Sequence, residues 1–203
     1  MNIALNTSAV HGVLFDNNAG GSLIANVTGV SFTGVTASVS QSKALLQLEA
    51  ADSANVTANV QNSFFNGSRT HALLATATGT SVMNVTVNQS GFGTDVNTGA
   101  AVNTPRTTIT DPPAIGMFIT NGAGAQVDYA VSNNTFCGAD GSLGAFYAVG
   151  ASGAATTGGS HLNGSWTGNR IGKSGVTGSG CANGCAAMGL LPGPRARSGH
   201  GDR

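Results

Sequence analysis

Apolar residues recur along this chain in short alternating runs, and four stretches of the sequence align with one another without gaps. Each begins at an apolar residue and ends 19 residues later at a phenylalanine; the stretches are Val13 to Phe32, Leu46 to Phe65, Leu73 to Phe92 and Met117 to Phe136. Apolar positions spaced by two are typical of β-strands that bury one face. Repetition of such a block is typical of solenoids, in which each unit buries its apolar side against its neighbours.

Equivalent positions of the four stretches form columns of similar residues. The start column is Val13, Leu46, Leu73 and Met117, and a column near the end is Val27, Val60, Val87 and Val131. A polar column two residues before the phenylalanine position holds Ser63, Ser90, Asn134 and Asn169, with Ser8 in an earlier unit. Side chains stacked in such a column are predicted to hydrogen-bond from one repeat to the next.

The pattern also continues beyond the four stretches. Ile3 and Leu5 fit the second strand of an earlier unit, with Val10 in its phenylalanine column. Later units are indicated by two further sets of apolar positions, namely Phe146, Leu162, Trp166 and Ile171, and then Met188 and Leu190. We therefore expect the repeat to cover nearly the whole chain.

Each unit is predicted to have two short strands, a turn rich in Gly, Asn, Asp and Ser between them, and one loop of variable length. Stacked units of this kind predict an all-β fold, a right-handed single-stranded parallel β-helix (solenoid) of about five to six coils. Residues 1–194 are assigned to this β-helix, as a fragment of a longer array, and residues 195–203 to a disordered basic tail. The rival is an antiparallel β-sandwich, but only one Asn-Gly pair, Asn121-Gly122, falls between paired strands.

Several segments carry a family resemblance. Asn88-Gln-Ser-Gly-Phe92, Asn133-Asn-Thr-Phe136 and Gly168-Asn-Arg-Ile-Gly172, followed by the segment from Cys181 to Gly193, resemble bacterial beta-strand-repeat proteins of the pectin-lyase-like superfamily. The resemblance implies a secreted or surface-attached protein similar to adhesins or autotransporter passengers. The segment after Pro194 departs from the pattern, and we interpret it as a frameshift or gene-end artefact.

Composition narrows the classes of partner. Charged residues make up 8% of the chain, aromatic residues 5%, and the formal net charge is zero. This balance gives no electrostatic basis for binding nucleic acid or an anionic membrane. No apolar run approaches the roughly 20 residues that span a bilayer. The first residues lack a signal-peptide pattern, which indicates either a cytoplasmic protein or a missing amino-terminal segment.

Asp16 and Glu49 form the best candidate for acid–base chemistry. Both lie three residues after the start of their unit, so we expect them to be neighbours on an outward face. Stacked carboxylates could bind Ca²⁺ or hold one raised pKa. The alternative is a pair of solvated acids, partly compensated by Lys43.

Other candidates lie in loops. The long segment 93–114 contains Asp95, Arg106 and Asp111, and is predicted to be either a binding loop or a plain solvated loop. Cys181 and Cys185 are predicted either to form a local disulfide or to remain free thiols, with Cys137 left over. His11 and His71 share a column without being adjacent, so no metal site is predicted, and no cofactor is implied.

These observations favour a non-catalytic structural or binding segment of a secreted or cell-surface protein, with adhesion to glycans or to host or neighbour-cell surfaces as its expected role. The alternative is a remnant of a carbohydrate-active β-helix enzyme, a polysaccharide lyase or glycoside hydrolase. Exposed end coils are also expected to promote association of copies.

Overall fold

The computed structural model describes residues 1–4, 12–33, 44–66, 71–92, 115–122, 124–136, 146–149, 159–171 and 188–191, and everything structural below refers to them. These residues form strands and turns without a helix, and the strands belong to three parallel sheets. The all-β class and the parallel pairing predicted from the columns are therefore confirmed. The antiparallel sandwich is excluded for this part of the chain, because every pairing between its strands is parallel.

Sheet 1 consists of β2 (Val13–Asn17), β5 (Leu46–Ala50), β8 (His71–Ala77), β11 (Ile115–Asn121), β14 (Phe146–Val149) and β17 (Met188–Leu191). Sheet 2 consists of β3 (Ser22–Thr28), β6 (Asn55–Gln61), β9 (Val82–Asn88), β12 (Gln126–Ser132) and β15 (His161–Thr167). Sheet 3 consists of β1 (Asn2–Ala4), β4 (Ser31–Thr33), β7 (Phe64–Asn66), β10 (Gly91–Phe92), β13 (Thr135–Phe136) and β16 (Arg170–Ile171).

The chain visits the three sheets in a constant order. We call three consecutive strands, one each from sheets 1, 2 and 3, a unit; β2, β3 and β4 form the first unit and β14, β15 and β16 the last. Within every sheet the neighbours are strands three apart in sequence, so each unit lies against the next. The prediction of two strands per unit was wrong, because the phenylalanine position itself lies in a third short strand.

The predicted columns match the strand register. Val13 pairs with Leu46 in sheet 1, and Val27 pairs with Val60 in sheet 2. In the later units, Val131 pairs with Trp166 and Phe146 with Met188, as the sequence indicated. The placement of Ile3 was wrong: it pairs with Phe32 in sheet 3, not with a second-strand position. Leu5, Ser8 and Val10 lie outside the described residues.

Stacked aromatic rings fill the core beside sheet 3. Phe32, Phe65, Phe92 and Phe136 are at most 2% exposed. Their ring centroids are 4.7, 4.8 and 4.7 Å apart along the stack, with interplanar angles of 3 to 9°. Trp166 continues the stack at 5.3 Å from Phe136. The ring spacing matches the separation of neighbouring strands, so one ring per unit forms a continuous apolar column.

The polar column satisfies the backbone at the turn between sheets 2 and 3. Ser63 Oγ accepts a hydrogen bond from Val30 N at 3.3 Å, and Ser90 Oγ accepts one from Ser63 N at 3.2 Å. Asn134 Oδ1 accepts from Ser90 N at 2.8 Å, and Asn169 Oδ1 accepts from Asn134 N at 2.9 Å. The predicted unit-to-unit hydrogen bonding of this column is confirmed, and its side-chain oxygens pair amides that would otherwise be buried without a partner.

The residue after each sheet 2 strand has a left-handed backbone. Five residues share this position, with φ between 48 and 65°: Gly29, Asn62, Gln89, Asn133 and Gly168. This conformation turns the chain sharply into sheet 3. Asn tolerates it better than most residues, and Gly tolerates it without a steric penalty.

Candidate functional site

The carboxylates of Asp16 and Glu49 lie on neighbouring strands of sheet 1. Their Cα atoms are register partners, and the side chain of Asp16 is exposed while that of Glu49 is half-buried. Asn18 Nδ2 donates a hydrogen bond to Asp16 Oδ2 at 2.5 Å. The column continues with Thr76 and Thr120, so the acidic pair is not extended by a third carboxylate in the described strands. The predicted adjacency is confirmed, whereas a function for the pair remains a prediction.

Gln47 is a neighbour of this pair that the sequence did not single out. It is on the outward face of β5, two residues before Glu49, yet it is only 4% exposed. Its Nε2 donates a hydrogen bond to Glu49 Oε1, while its own Oε1 is buried without a hydrogen-bond partner among the described residues. The amide therefore orients the Glu49 carboxylate, which limits how freely that side chain can move.

The outward side of sheet 2 is a second candidate surface, which we call the polar face. Its positions are Ser22, Ile24, Asn26, Thr28, Asn55, Thr57, Asn59, Gln61, Val82, Asn84, Thr86, Asn88, Gln126, Asp128, Ala130, Ser132, His161, Asn163, Ser165 and Thr167. None of them is Lys, Arg or Glu, and Asp128 is the one carboxylate among them. Amide and hydroxyl groups dominate this face, so it is almost neutral and can both donate and accept hydrogen bonds.

Contacts between strands hold parts of the polar face in place. Asn59 Nδ2 donates to Asn26 Oδ1 at 2.9 Å. At the edge of the face, Asn88 Oδ1 accepts from Ser132 Oγ at 3.2 Å. His161 Nε2 lies 3.4 Å from the Asp128 carboxylate, and both side chains are partly exposed. The face is consequently an array of mostly polar groups, in which equivalent positions of neighbouring strands are about 4.8 Å apart.

His71 occupies a different environment at the start of β8. Its ring lies 5.4 Å from the ring of Phe118, and burial lowers the pKa of His71 to about 4. The imidazole is therefore neutral at ordinary pH and packs as an apolar ring. Within the described ranges no group of three or more His, Cys, Asp or Glu side chains is arranged to hold a metal ion.

The remaining sequence candidates lie outside the described residues. They are Asp95, Arg106 and Asp111 of the long loop, Cys137, Cys181 and Cys185, His11, Lys43 and the tail 195–203. The interpretation of these residues remains a prediction.

Comparisons with family models, with curated proteins and with solved structures found no match to this chain. The resemblance to beta-strand-repeat proteins is accordingly an inference from the sequence motifs. Among the described residues, no helix is long and apolar enough to cross a membrane.

Proposed function

We propose that this chain is a right-handed parallel β-helix scaffold of a secreted or cell-surface protein, with about five to six coils, and that it binds its ligand without catalysing a reaction. The three parallel sheets, in which the chain steps from unit to unit in constant order, support a solenoid. Right-handedness follows from the strong preference of parallel crossovers. The motif resemblance supports a surface-attached role and an adhesin-like function.

The polar face of sheet 2 is the observation that carries the proposed binding role. Its neutral amides and hydroxyls suit a ligand that is itself uncharged and rich in hydroxyl groups, such as a neutral glycan. Strongly acidic or basic ligands gain little from it, because Asp128 and His161 carry the only titratable side chains on this face. Because polar positions recur on neighbouring strands, a long glycan can form hydrogen bonds to several strands at once.

Retention of the chain on insoluble neutral polysaccharides, compared with an acidic polysaccharide, tests this role. Asn84→Lys places a charge in the middle of the polar face, and Thr76→Lys places the same charge on the outward side of sheet 1 as a control. Loss of the Asn84 contacts should weaken retention about 2- to 10-fold, which corresponds to one or two hydrogen bonds. Equal retention of both variants, or retention on the acidic polymer alone, would contradict a neutral-glycan site on sheet 2.

The second candidate function is a remnant of a carbohydrate-active enzyme, which the adjacent carboxylates of Asp16 and Glu49 favour. General acid–base cleavage requires such a pair at the reacting bond. A lyase and hydrolase assay on a panel of polysaccharides distinguishes the two functions. Turnover that is abolished by Asp16→Asn or Glu49→Gln would establish the enzyme, and absence of turnover on substrates that the chain retains would support the scaffold.

A further inference from the structure

Asp128 carries the one carboxylate of the polar face, and it lies in the interior of sheet 2. Its strand, β12, is flanked on both sides by strands of the same sheet, β9 and β15. The side chain of Asp128 points outward and is exposed. An ionised carboxylate accepts hydrogen bonds and donates none, and a hydrogen bond to it is about twice as strong as one between neutral groups. Asp128 is therefore the strongest acceptor that the polar face offers to a ligand.

Two amides flank this carboxylate along the direction from strand to strand. Asn84 on β9 and Asn163 on β15 are the register partners of Asp128, and both are exposed. Neighbouring strands are about 4.8 Å apart, so one amide lies on each side of the carboxylate. A hydroxyl group between Asp128 and either asparagine can donate to the carboxylate and accept from the amide Nδ2 at the same time. This arrangement uses both the donor and the acceptor of a hydroxyl group.

His161 borders the carboxylate without saturating it. Its Nε2 lies 3.4 Å from Asp128 Oδ1 and 3.4 Å from Asp128 Oδ2, with the two side chains 34% and 53% exposed. Both distances are longer than the about 2.7–3.2 Å of ordinary N–H···O hydrogen bonds. A carboxylate has about four acceptor positions. The contact with His161 therefore orients Asp128 and leaves acceptor positions for a ligand.

A short side chain leaves space next to Asp128. Ala130 is the next outward residue along β12, and it is the smallest outward side chain of sheet 2. Its register partners are Thr86 and Ser165. Ligand sites ordinarily combine apolar contacts with a few polar groups that fix the orientation of the ligand. The C–H groups of a sugar ring can pack on the methyl group of Ala130 while the hydroxyls of that ring reach Asp128.

We propose that Asn84, Asp128 and Asn163 form the subsite that selects the glycan, and that this subsite requires free sugar hydroxyls that donate to the Asp128 carboxylate. The inference rests on the proposed binding of a neutral glycan to the polar face. An ether oxygen has no hydrogen to donate, so a sugar with methylated hydroxyls would cover the carboxylate and leave it without a partner. A site built to hydrogen-bond a hydroxyl rejects an analogue that lacks it.

Asp128→Asn tests the subsite, because it keeps the shape of the side chain and removes the charge. Asp52→Asn is the matched control. It removes the same charge from an exposed turn residue outside the polar face, and asparagine tolerates the positive φ of 55° at that position. Retention is measured on the insoluble neutral polysaccharide that retains the wild type. Soluble oligosaccharides of the same polymer, either free or fully O-methylated, serve as competitors.

Asp128→Asn is expected to weaken retention about 5- to 10-fold, because a charge-assisted hydrogen bond is replaced by a neutral one, whereas Asp52→Asn should equal the wild type. The free oligosaccharide should compete better than the methylated one with the wild type and with Asp52→Asn. This preference should shrink in Asp128→Asn, because an asparagine amide can donate to an ether oxygen. Ala130→Ile fills the space beside the carboxylate and should also weaken retention, with an unchanged circular dichroism spectrum.

Retention of Asp128→Asn or Ala130→Ile equal to that of the wild type would overturn the subsite. An undiminished preference of Asp128→Asn for the free sugar would overturn it as well. If Asn84→Lys still weakened retention in those cases, the neutral-glycan surface would stand without the subsite. A wild type that is retained on no neutral polysaccharide would overturn both the surface and the subsite.

Discussion

The phenylalanine stack makes a quantitative prediction at Phe65. This ring is 1% exposed and lies between Phe32 at 4.7 Å and Phe92 at 4.8 Å. A phenylalanine buries about 150–250 Å², which at about 25 cal/mol per Å² corresponds to about 4–6 kcal/mol. Alanine retains part of that area, so Phe65→Ala should lower the free energy of unfolding by about 3–5 kcal/mol.

Urea unfolding followed by two signals is the appropriate assay. Far-ultraviolet circular dichroism reports on all strands, and the fluorescence of Trp166, the single tryptophan, reports on the last unit. Phe65→Leu is the matched variant that keeps the site apolar, and it should cost less, about 1–2 kcal/mol. Ile24→Ala, at a side chain that is 68% exposed, should change stability by less than about 0.5 kcal/mol.

A loss below about 1 kcal/mol for Phe65→Ala would refute the view that stacked rings hold the units together. Different midpoints for the two signals would show that the units unfold separately, as nearest-neighbour stabilisation of a repeat protein allows.

Three further predictions concern other features of the array. Asn134→Ala leaves Ser90 N and Val87 O without their side-chain partner. It should therefore lower the free energy of unfolding in urea by about 2–4 kcal/mol. The control Asn26→Ala, on the exposed polar face, should be nearly neutral. Gly29→Ala should lower the free energy of unfolding by about 1–2 kcal/mol, because of its positive φ alone. Gly79→Ala should lower it more, because a Cβ there also meets the Asp52 backbone at 2.8 Å. Equal losses of stability in the two variants would contradict this difference. Because burial holds the pKa of His71 at about 4 instead of 6.5, the neutral ring's stabilisation is complete above pH 6.5 and is lost toward pH 4. The wild type should therefore lose about 3 kcal/mol more than His71→Phe between neutral pH and pH 4, and parallel pH profiles in thermal or urea unfolding would show that His71 is not responsible.

Only part of each candidate site could be predicted from the sequence. The neighbouring positions of Asp16 and Glu49 could be predicted, because residues at equal distances from the unit start share a column in a parallel register. The burial of Gln47 could not, because an outward position in a strand pattern is normally solvated. The polar face was also missed as a unit, since its residues alternate with the apolar columns and become one surface only when five strands lie side by side.

Periodicity alone determined the strand class, the parallel register and the apolar columns, because a period of two and an equal block length leave little freedom in how the units pair. The third strand of each unit was decided only by the tertiary structure, since a two- or three-residue strand is too short to show a period and exists because its neighbours pair with it. The left-handed residues after sheet 2 were likewise hidden, because Gly, Asn and Gln share no side-chain pattern and are united only by the turn that they must make. The position of Ile3 was decided by the same sheet, in which pairing with Phe32 outweighs the resemblance of its flanking residues to a second strand.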